Sequence, residues 1–365
     1  MPKELLATPL HLLALEDALK VAGISPSDSP ADRLKKAGIR HFDELIHKQP
    51  KAWLIKQFGE PGGKYPVNVA RLIRNLVWQK KERIERRQDP PFKELVRTYW
   101  YMYLKPTLTR AGALSDETDQ YKQLSENLAD LVKVYQVMKY KDIGFRDENQ
   151  PNRKMGVFGN VIPFSEKLGH FDYLAELHEK HHVTVIALGG QPSVLNAEYF
   201  VDDIKAGRTS LRRSFYLYSI VDFDPSGWII RDAFLDSLRF YGIKNIQTFD
   251  LINPDMLTPE EILLSRYPIK AGPDMTEKNR RWLAEVSKRR YANMKYLFEE
   301  VGGKTKLYGL EAEAISTAKI DAELAKIMEP VLGRDEDKLK LYEMKNLGKA
   351  TEELILFKVT HPDIP

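Results

Sequence analysis

Apolar positions along the first part of the chain follow helical spacing. Leu72, Ile73, Leu76 and Val77 line one face of the stretch 71–87, and residues 121–138 repeat the pattern. Between them Gln88-Asp89-Pro90-Pro91 punctuates the chain, because a Pro pair stops a helix. Residues 92–107 read as a Tyr-rich helix, 109–115 as a turn and 147–152 as a loop. Helix, turn, helix and an extended segment in this span match the size of a winged helix. From Phe158 the pattern changes to short apolar runs separated by helical stretches. Helix 171–180 leads to strand 183–188, helix 193–205 to strand 215–221, and helix 228–241, closed by Gly242, to strand 245–251. This alternation predicts an α/β fold with a mainly parallel sheet, whose chemistry belongs at the carboxyl ends of its strands.

Composition narrows the picture. The 365 residues carry 56 Lys+Arg against 52 Asp+Glu, a net charge of +4, and are 43% hydrophobic and 30% charged, which is ordinary for a globular chain. No Cys is present, which excludes disulfides, thiolate nucleophiles and cysteine-ligated metal centres. No apolar run is long enough to span a membrane. The opening stretch carries Glu4, Glu16 and Asp17 among its leucines and reads as an amphipathic helix rather than a signal peptide, so a cytoplasmic protein is expected.

The positive charge is clustered. Arg71, Arg74, Lys80, Lys81, Arg83, Arg86 and Arg87 fall on one helix, opposed there only by Glu82 and Glu85. Lys278, Arg280, Arg281, Lys288, Arg289 and Arg290 form a second cluster around Trp282. Such faces are either solvated surfaces or contacts for a phosphate backbone. The first cluster is the candidate DNA-binding surface.

The sharpest motif is Asp222-Phe223-Asp224-Pro225-Ser226-Gly227 at the end of strand 215–221. Residues two apart on an extended segment share a side, so Asp222 and Asp224 can converge on one hard cation such as Mg²⁺. Pro225 ends the strand and Gly227 frees the turn into the next helix. The same residue types also build capped turns, and the residues alone leave both uses open.

This strand–Asp-x-Asp-Pro-x-Gly–helix pattern resembles the second acidic motif of a Toprim domain, in the form found in the A-type subunit of topoisomerase VI and its meiotic double-strand-break relative. Three further stretches fall in the same order. Val96-Arg97-Thr98-Tyr99-Trp100-Tyr101 is similar to that family's Arg-x-x-(aromatic)-Tyr motif. Leu257-Thr258-Pro259-Glu260-Glu261 resembles its Leu-Thr-Pro-Glu-Asp segment, and Leu310-Glu311-Ala312-Glu313-Ala314 its acidic helix start.

The resemblance implies three regions. These are a helical N-terminal region over 1–88, a winged-helix (CAP-like) domain over 89–158, and a Toprim domain with a C-terminal helical elaboration over 159–365. It implies cleavage of double-stranded DNA by Mg²⁺-dependent tyrosine transesterification, through a 5′-phosphotyrosyl intermediate, by a nucleoid-associated homodimer served by an ATPase B-type (GHKL) partner. Tyr101 would be the nucleophile, Arg97 the residue that orients the phosphate, and Asp222 and Asp224 the metal ligands. A non-catalytic DNA-binding scaffold and a metal-dependent defence nuclease are the competing readings on the same fold.

Arg97 and Tyr101 are an i, i+4 pair, so their side chains share a helix face. Tyr99, Trp100, Tyr101 and Tyr103 also form an aromatic run of the kind that builds cores, and Tyr99 and Tyr103 are competing phenols. One departure from the family stands out. A Toprim site carries a Glu at the end of its first strand. With that strand taken as 183–188, Gly189-Gly190-Gln191-Pro192-Ser193 follows and no carboxylate is present. Metal affinity and proton transfer would then be weakened, unless the fold brings Glu166, Glu311 or Glu313 to the site.

Overall fold

The computed structural model describes residues 15–114, 117–190, 193–269, 273–301, 304–333 and 335–361. It divides into two units, Met1–Glu148 and Asn149–Pro365. The leucine-rich opening before Leu15, Ser115 of the expected turn, and Gln191 lie outside the described residues. Among the described residues no helix is long and apolar enough to cross a membrane.

The first unit is helical: α1 Leu15–Val21, α2 Pro30–Lys36, α3 Lys51–Phe58, α4 Val69–Glu85, α5 Val96–Tyr99, α6 Lys105–Ala111, α7 Glu117–Ala129 and α8 Tyr140–Ile143. Helix α4 is its axis. Asn68 caps it by accepting from the Arg71 N–H, and Leu72, Ile73, Leu76 and Val77 are buried as their spacing predicts. Two buried amides on the same helix tie down the preceding loop. Asn75 donates to the Gly38 carbonyl, and Gln79 donates to Phe42 and Glu44 and accepts from the Ile46 N–H.

The expected boundary near residue 88 is absent, because α4 shares its core with the helices that follow. The buried Tyr99 donates its hydroxyl to the Leu76 carbonyl, and Arg74 donates to Asn127 on α7. The expected winged-helix domain over 89–158 is corrected in two respects. The unit ends at Glu148, and its described residues contain only an isolated bridge, Gly59–Val67, and no strand pair that could form a wing. The extended segment Arg153–Lys154 belongs to the sheet of the second unit.

That unit holds a five-stranded sheet in the order β1-β3-β2-β4-β5, with β1 Arg153–Lys154, β2 Val161–Ser165, β3 Val185–Ala187, β4 Phe215–Ile220 and β5 Ile246–Asp250. Strands β2 to β5 run parallel and β1 is antiparallel to β3. Helices α9 Phe171–His181, α10 Val194–Ala206 and α11 Pro225–Phe240 connect the parallel strands. The inner strands are apolar and buried on both faces, as a covered parallel sheet requires. A second, antiparallel sheet has the order β6-β8-β7, from β6 Arg266–Pro268, β7 Phe298–Val301 and β8 Lys304–Leu310. Helices α12 Pro259–Ser265 and α13 Pro273–Arg289 flank β6 in sequence, and α14 Thr317–Leu332 and α15 Asp335–Thr360 complete the chain.

Strand β2 is the element that the sequence pattern misses. It is central, yet it contains Pro163, which argues against an interior strand because it removes a ladder donor. The hydrogen bonds show how the sheet accommodates it. Val161 and Ser165 offer their carbonyls to the β3 side, while Glu166 donates its N–H to Ile220 on the β4 side. By alternation Pro163 faces β3, which is in register with β2 only at Phe164 and Ser165. The missing N–H therefore lies where the ladder is already short.

Candidate active site

The Asp222–Asp224 segment sits at the carboxyl end of β4 and is clamped there by the second sheet. Phe223, fully buried, donates its N–H to the Leu310 carbonyl at 2.9 Å and accepts from the Leu310 N–H at 3.3 Å. Pinning the middle residue in extended form puts the two flanking carboxylates on the same side. Asp224, itself extended, caps α11 by accepting from the Gly227 N–H at 2.7 Å. Gly227 must lack a side chain. A Cβ there would stand 2.3 Å from the Asp222 carbonyl oxygen and 2.9 Å from its nitrogen.

Glu166 follows the last residue of β2, and Ser165 is in register with Ile220 of β4. The glutamate therefore lies beside the start of the Asp222–Asp224 segment. Glu166 is only 8% exposed, and its Oε2 has no hydrogen-bond partner. Burial, reinforced by the negative charge of Asp222, pushes its carboxyl up to about 7. The expectation that the first strand of the site is 183–188 and lacks an acid is thus corrected. On this side the strand next to β4 is β2, and Glu166 directly follows its last residue, Ser165.

Other groups complete the acidic edge. Lys167 places its Nζ 3.1 Å from Asp222 Oδ1 and 3.5 Å from Glu313 Oε2. Burial works to lower the Lys167 pKa, but the hydrogen bond and charge of Asp222, with Glu313 and Glu311 behind it, raise it overall. The Ala312 N–H donates to Asp222 Oδ1 at 2.8 Å, so the 310–314 segment does converge on the site. Tyr267 on β6 donates its hydroxyl to Asp224 Oδ2 at 2.8 Å. Burial raises the Asp224 carboxyl while the Gly227 and Tyr267 hydrogen bonds draw it down. Gly309 leaves room for this pair, since a Cβ there would be 2.9 Å from the Tyr267 ring and 3.0 Å from the Asp224 Cβ. His170 pairs its Nδ1 with Ser165 Oγ at 2.7 Å, and Ser165 Oγ accepts from the Lys167 N–H.

Among the described residues no three His, Asp or Glu side chains converge as a ready-made metal cage. Protein donors already engage Asp222 and Asp224. The Leu257–Glu261 stretch lends itself to architecture: Thr258 and Glu261 form a capping box on α12, and Glu261 pairs with Lys319.

In the first unit, Tyr101 is the exposed member of the aromatic run, at 51% exposure. Tyr99 is fully buried, its phenol pushed well above the ordinary range by desolvation. Tyr103 packs against Tyr99, Phe92 and His47. Tyr101 lies in a π-helical turn, Trp100–Leu104, between α5 and α6. Pro106 has no N–H to continue a regular ladder, which explains the wide turn there. The Arg97 guanidinium stands 5.9 Å from the Tyr101 ring, and the Lys105 Nζ stands 5.5 Å from the same ring. Arg97 also reaches Tyr121, at 5.9 Å. The expected Arg97–Tyr101 pair is therefore formed, with Lys105 as a second cation that the motif did not name.

The basic stripe of α4 does not form an open phosphate-contacting face. Arg71 donates to the Gly38 carbonyl, and Arg74 to Ala37, Asn127 and Tyr135. Lys80 and Arg83 both pair with Asp89, Lys81 with Glu85, and Arg86 with Glu82. Lys81 is buried against the Trp78 ring. Arg86 and Arg87, at the end of the helix, are exposed. Loop and helix partners distant in sequence occupy most of these cations, which the count of charges along the chain does not reveal.

No protein-family model matches the chain, and no curated protein matches it.

Proposed function

We propose that the chain is a DNA transesterase resembling the A-type subunit of topoisomerase VI, with the carboxylates of Glu166, Asp222 and Asp224 as its Mg²⁺ site and Tyr101 as its nucleophile. One observation carries this reading. The strand beside β4 is followed directly by a buried glutamate with an unpartnered oxygen, next to the Asp-x-Asp pair. We read it as the third acid of a Toprim-type site at the carboxyl edge of a mainly parallel sheet. This supports the transesterase over the non-catalytic scaffold, whose motive is an absent acid.

The donor type suits a hard, oxygen-seeking cation: these are carboxylates, one with an oxygen that no protein group satisfies, and the cation itself would have to draw the three together, since they do not already converge. When bound there, Mg²⁺ would neutralise charge on a phosphate oxygen. The residues of the chain supply the rest. The phenol oxygen of Tyr101 attacks phosphorus, the P–O3′ bond breaks, and a 5′-phosphotyrosyl bond forms with release of a 3′-hydroxyl. The phenol must lose a proton and the leaving oxygen must gain one. Arg97 and Lys105 stand near the phenol and are placed to neutralise the charge of the phosphate. Glu166, held near neutrality, is suited to proton transfer at the metal-site end. The family resemblance implies a homodimer that brings one protomer's tyrosine to its partner's carboxylates, with double-stranded DNA as substrate and a separate ATPase protein.

The test is incubation of end-labelled supercoiled DNA with the protein and Mg²⁺ or Mn²⁺, followed by denaturation. Label trapped on the protein, and lost in Tyr101→Phe, supports the transesterase. Cut DNA without an adduct points to the metal-dependent nuclease, and trapping that survives Tyr101→Phe displaces Tyr101 as nucleophile.

A further inference from the structure

Lys167 follows Glu166 directly at the end of β2, and its ammonium spans two separate parts of the acidic edge. It reaches Asp222 Oδ1 at the end of β4 and Glu313 Oε2 in the turn after β8, at 3.1 and 3.5 Å. Its side chain is 23% exposed, so the pair with Asp222 is shielded from water more than a surface ion pair is. The Ala312 N–H shares Asp222 Oδ1 with Lys167, and Gly227 and Tyr267 engage the two oxygens of Asp224. The buried Glu166 Oε2 stands apart from this pattern, without a partner.

Four acids at one edge, Glu166, Asp222, Asp224 and Glu313, repel one another unless a cation stands among them. A lysine supplies a compact point charge on a flexible stem, which can enter or leave without movement of the backbone. We infer that Lys167 is a built-in counter-cation, holding the place between Asp222 and Glu313 and leaving it when a divalent cation enters. This rests on the reading of the edge as a metal site. Metal binding is then an exchange of one ammonium for one dication, and the ammonium weakens metal affinity in the wild-type chain.

The experiment measures Mn²⁺ binding directly, from the electron paramagnetic resonance of free Mn²⁺, with the full chain and no DNA. Lys167→Met is expected to bind Mn²⁺ roughly tenfold more tightly than wild type, and Lys167→Arg no more tightly than wild type. In Lys167→Ala, methylammonium at constant ionic strength weakens Mn²⁺ binding, and in wild type it does not. Equal or weaker binding by a folded Lys167→Met overturns the inference and leaves the metal site standing. Wild-type protein with no Mn²⁺ binding that depends on Asp222 overturns both. A second measurement needs no variant fold. The Lys167 side-chain ¹³Cε resonance of wild type shifts on addition of Mg²⁺ in step with binding, and a resonance unmoved at saturation overturns the exchange.

Discussion

A Cβ on residue 227 would stand 2.3 Å from the carbonyl oxygen of Asp222. The N-terminal turn of α11 thus rests directly on the strand end that carries the acidic pair, and only glycine permits the approach. Backbone, rather than a flexible side chain, lies in the way, so it must move. Gly227→Ala is expected to destabilise the second unit by about 2 kcal/mol, read as a lower urea midpoint. An unchanged midpoint would show that the helix can lift from the strand at little cost.

Tyr267 satisfies one oxygen of a largely buried carboxylate. Tyr267→Phe leaves Asp224 Oδ2 without that donor and is expected to lower stability by about 1 kcal/mol at neutral pH. The loss shrinks at acid pH, where a protonated Asp224 no longer depends on the bond. Denaturant curves at the two pH values test this, and a loss that is the same at both refutes it.

Asp130 provides a pH-dependent signal in the first unit. Desolvation raises its carboxyl to about 7, despite the attraction of Arg74. Its Oδ1 has no hydrogen-bond partner. Between the ordinary carboxylate range and pH 7 the folded protein holds a proton that the unfolded chain has released. Stability from this group is therefore present in acid and lost as pH rises through that window. Asp130→Asn should remove the slope and be the more stable form at pH 8, by on the order of 3 kcal/mol. Parallel curves for the two proteins from pH 4 to 8 would contradict the assignment.

The tyrosines separate by burial. Tyr101→Phe removes an exposed hydroxyl and should change stability by less than about 0.5 kcal/mol while abolishing any DNA adduct. Tyr99→Phe loses the bond to the Leu76 carbonyl and should cost about 1 kcal/mol while adduct formation persists. Melting curves and adduct assays on both variants test the division, and the reverse pattern would move the nucleophile to Tyr99.

On α4 the charge pairs are structural. Arg74→Ala strips Asn127 and Tyr135 of their donor and should lower stability by about 1–2 kcal/mol. Arg86→Ala, at an exposed pair, should change it by less than about 0.5 kcal/mol. Equal losses in the two variants, measured by urea denaturation, would place the helix in a different environment.

Local pattern determined a good deal of this protein. Helical spacing and short apolar runs located the helices and strands from residue 171 to residue 250 to within a few positions, and their alternation indicated a mainly parallel sheet. The spacing of Asp222 and Asp224, with Pro225 and Gly227 behind them, marked the strand end that carries the acidic pair. The i, i+4 relation of Arg97 and Tyr101 predicted their contact. Each of these depends on residues close together in the chain.

Tertiary structure decided the rest. Strand β2, with Pro163 inside it, is not among the strands that the pattern predicts, so the pattern makes 183–188 the first strand of the site and offers Glu166 only as one of three acids the fold can bring there. The signal available was an apolar run, Val161 to Phe164, ending in Ser165-Glu166-Lys167 just before a helix. Which strand lies beside which is set by sheet order, and hydrophobic period carries no information about order. The engagement of the α4 cations depends likewise on loops and helices far away in sequence, such as Gly38, Asn127 and Tyr135. Charge can be counted along a chain, but whether it faces solvent or a carbonyl is fixed only when the chain has folded.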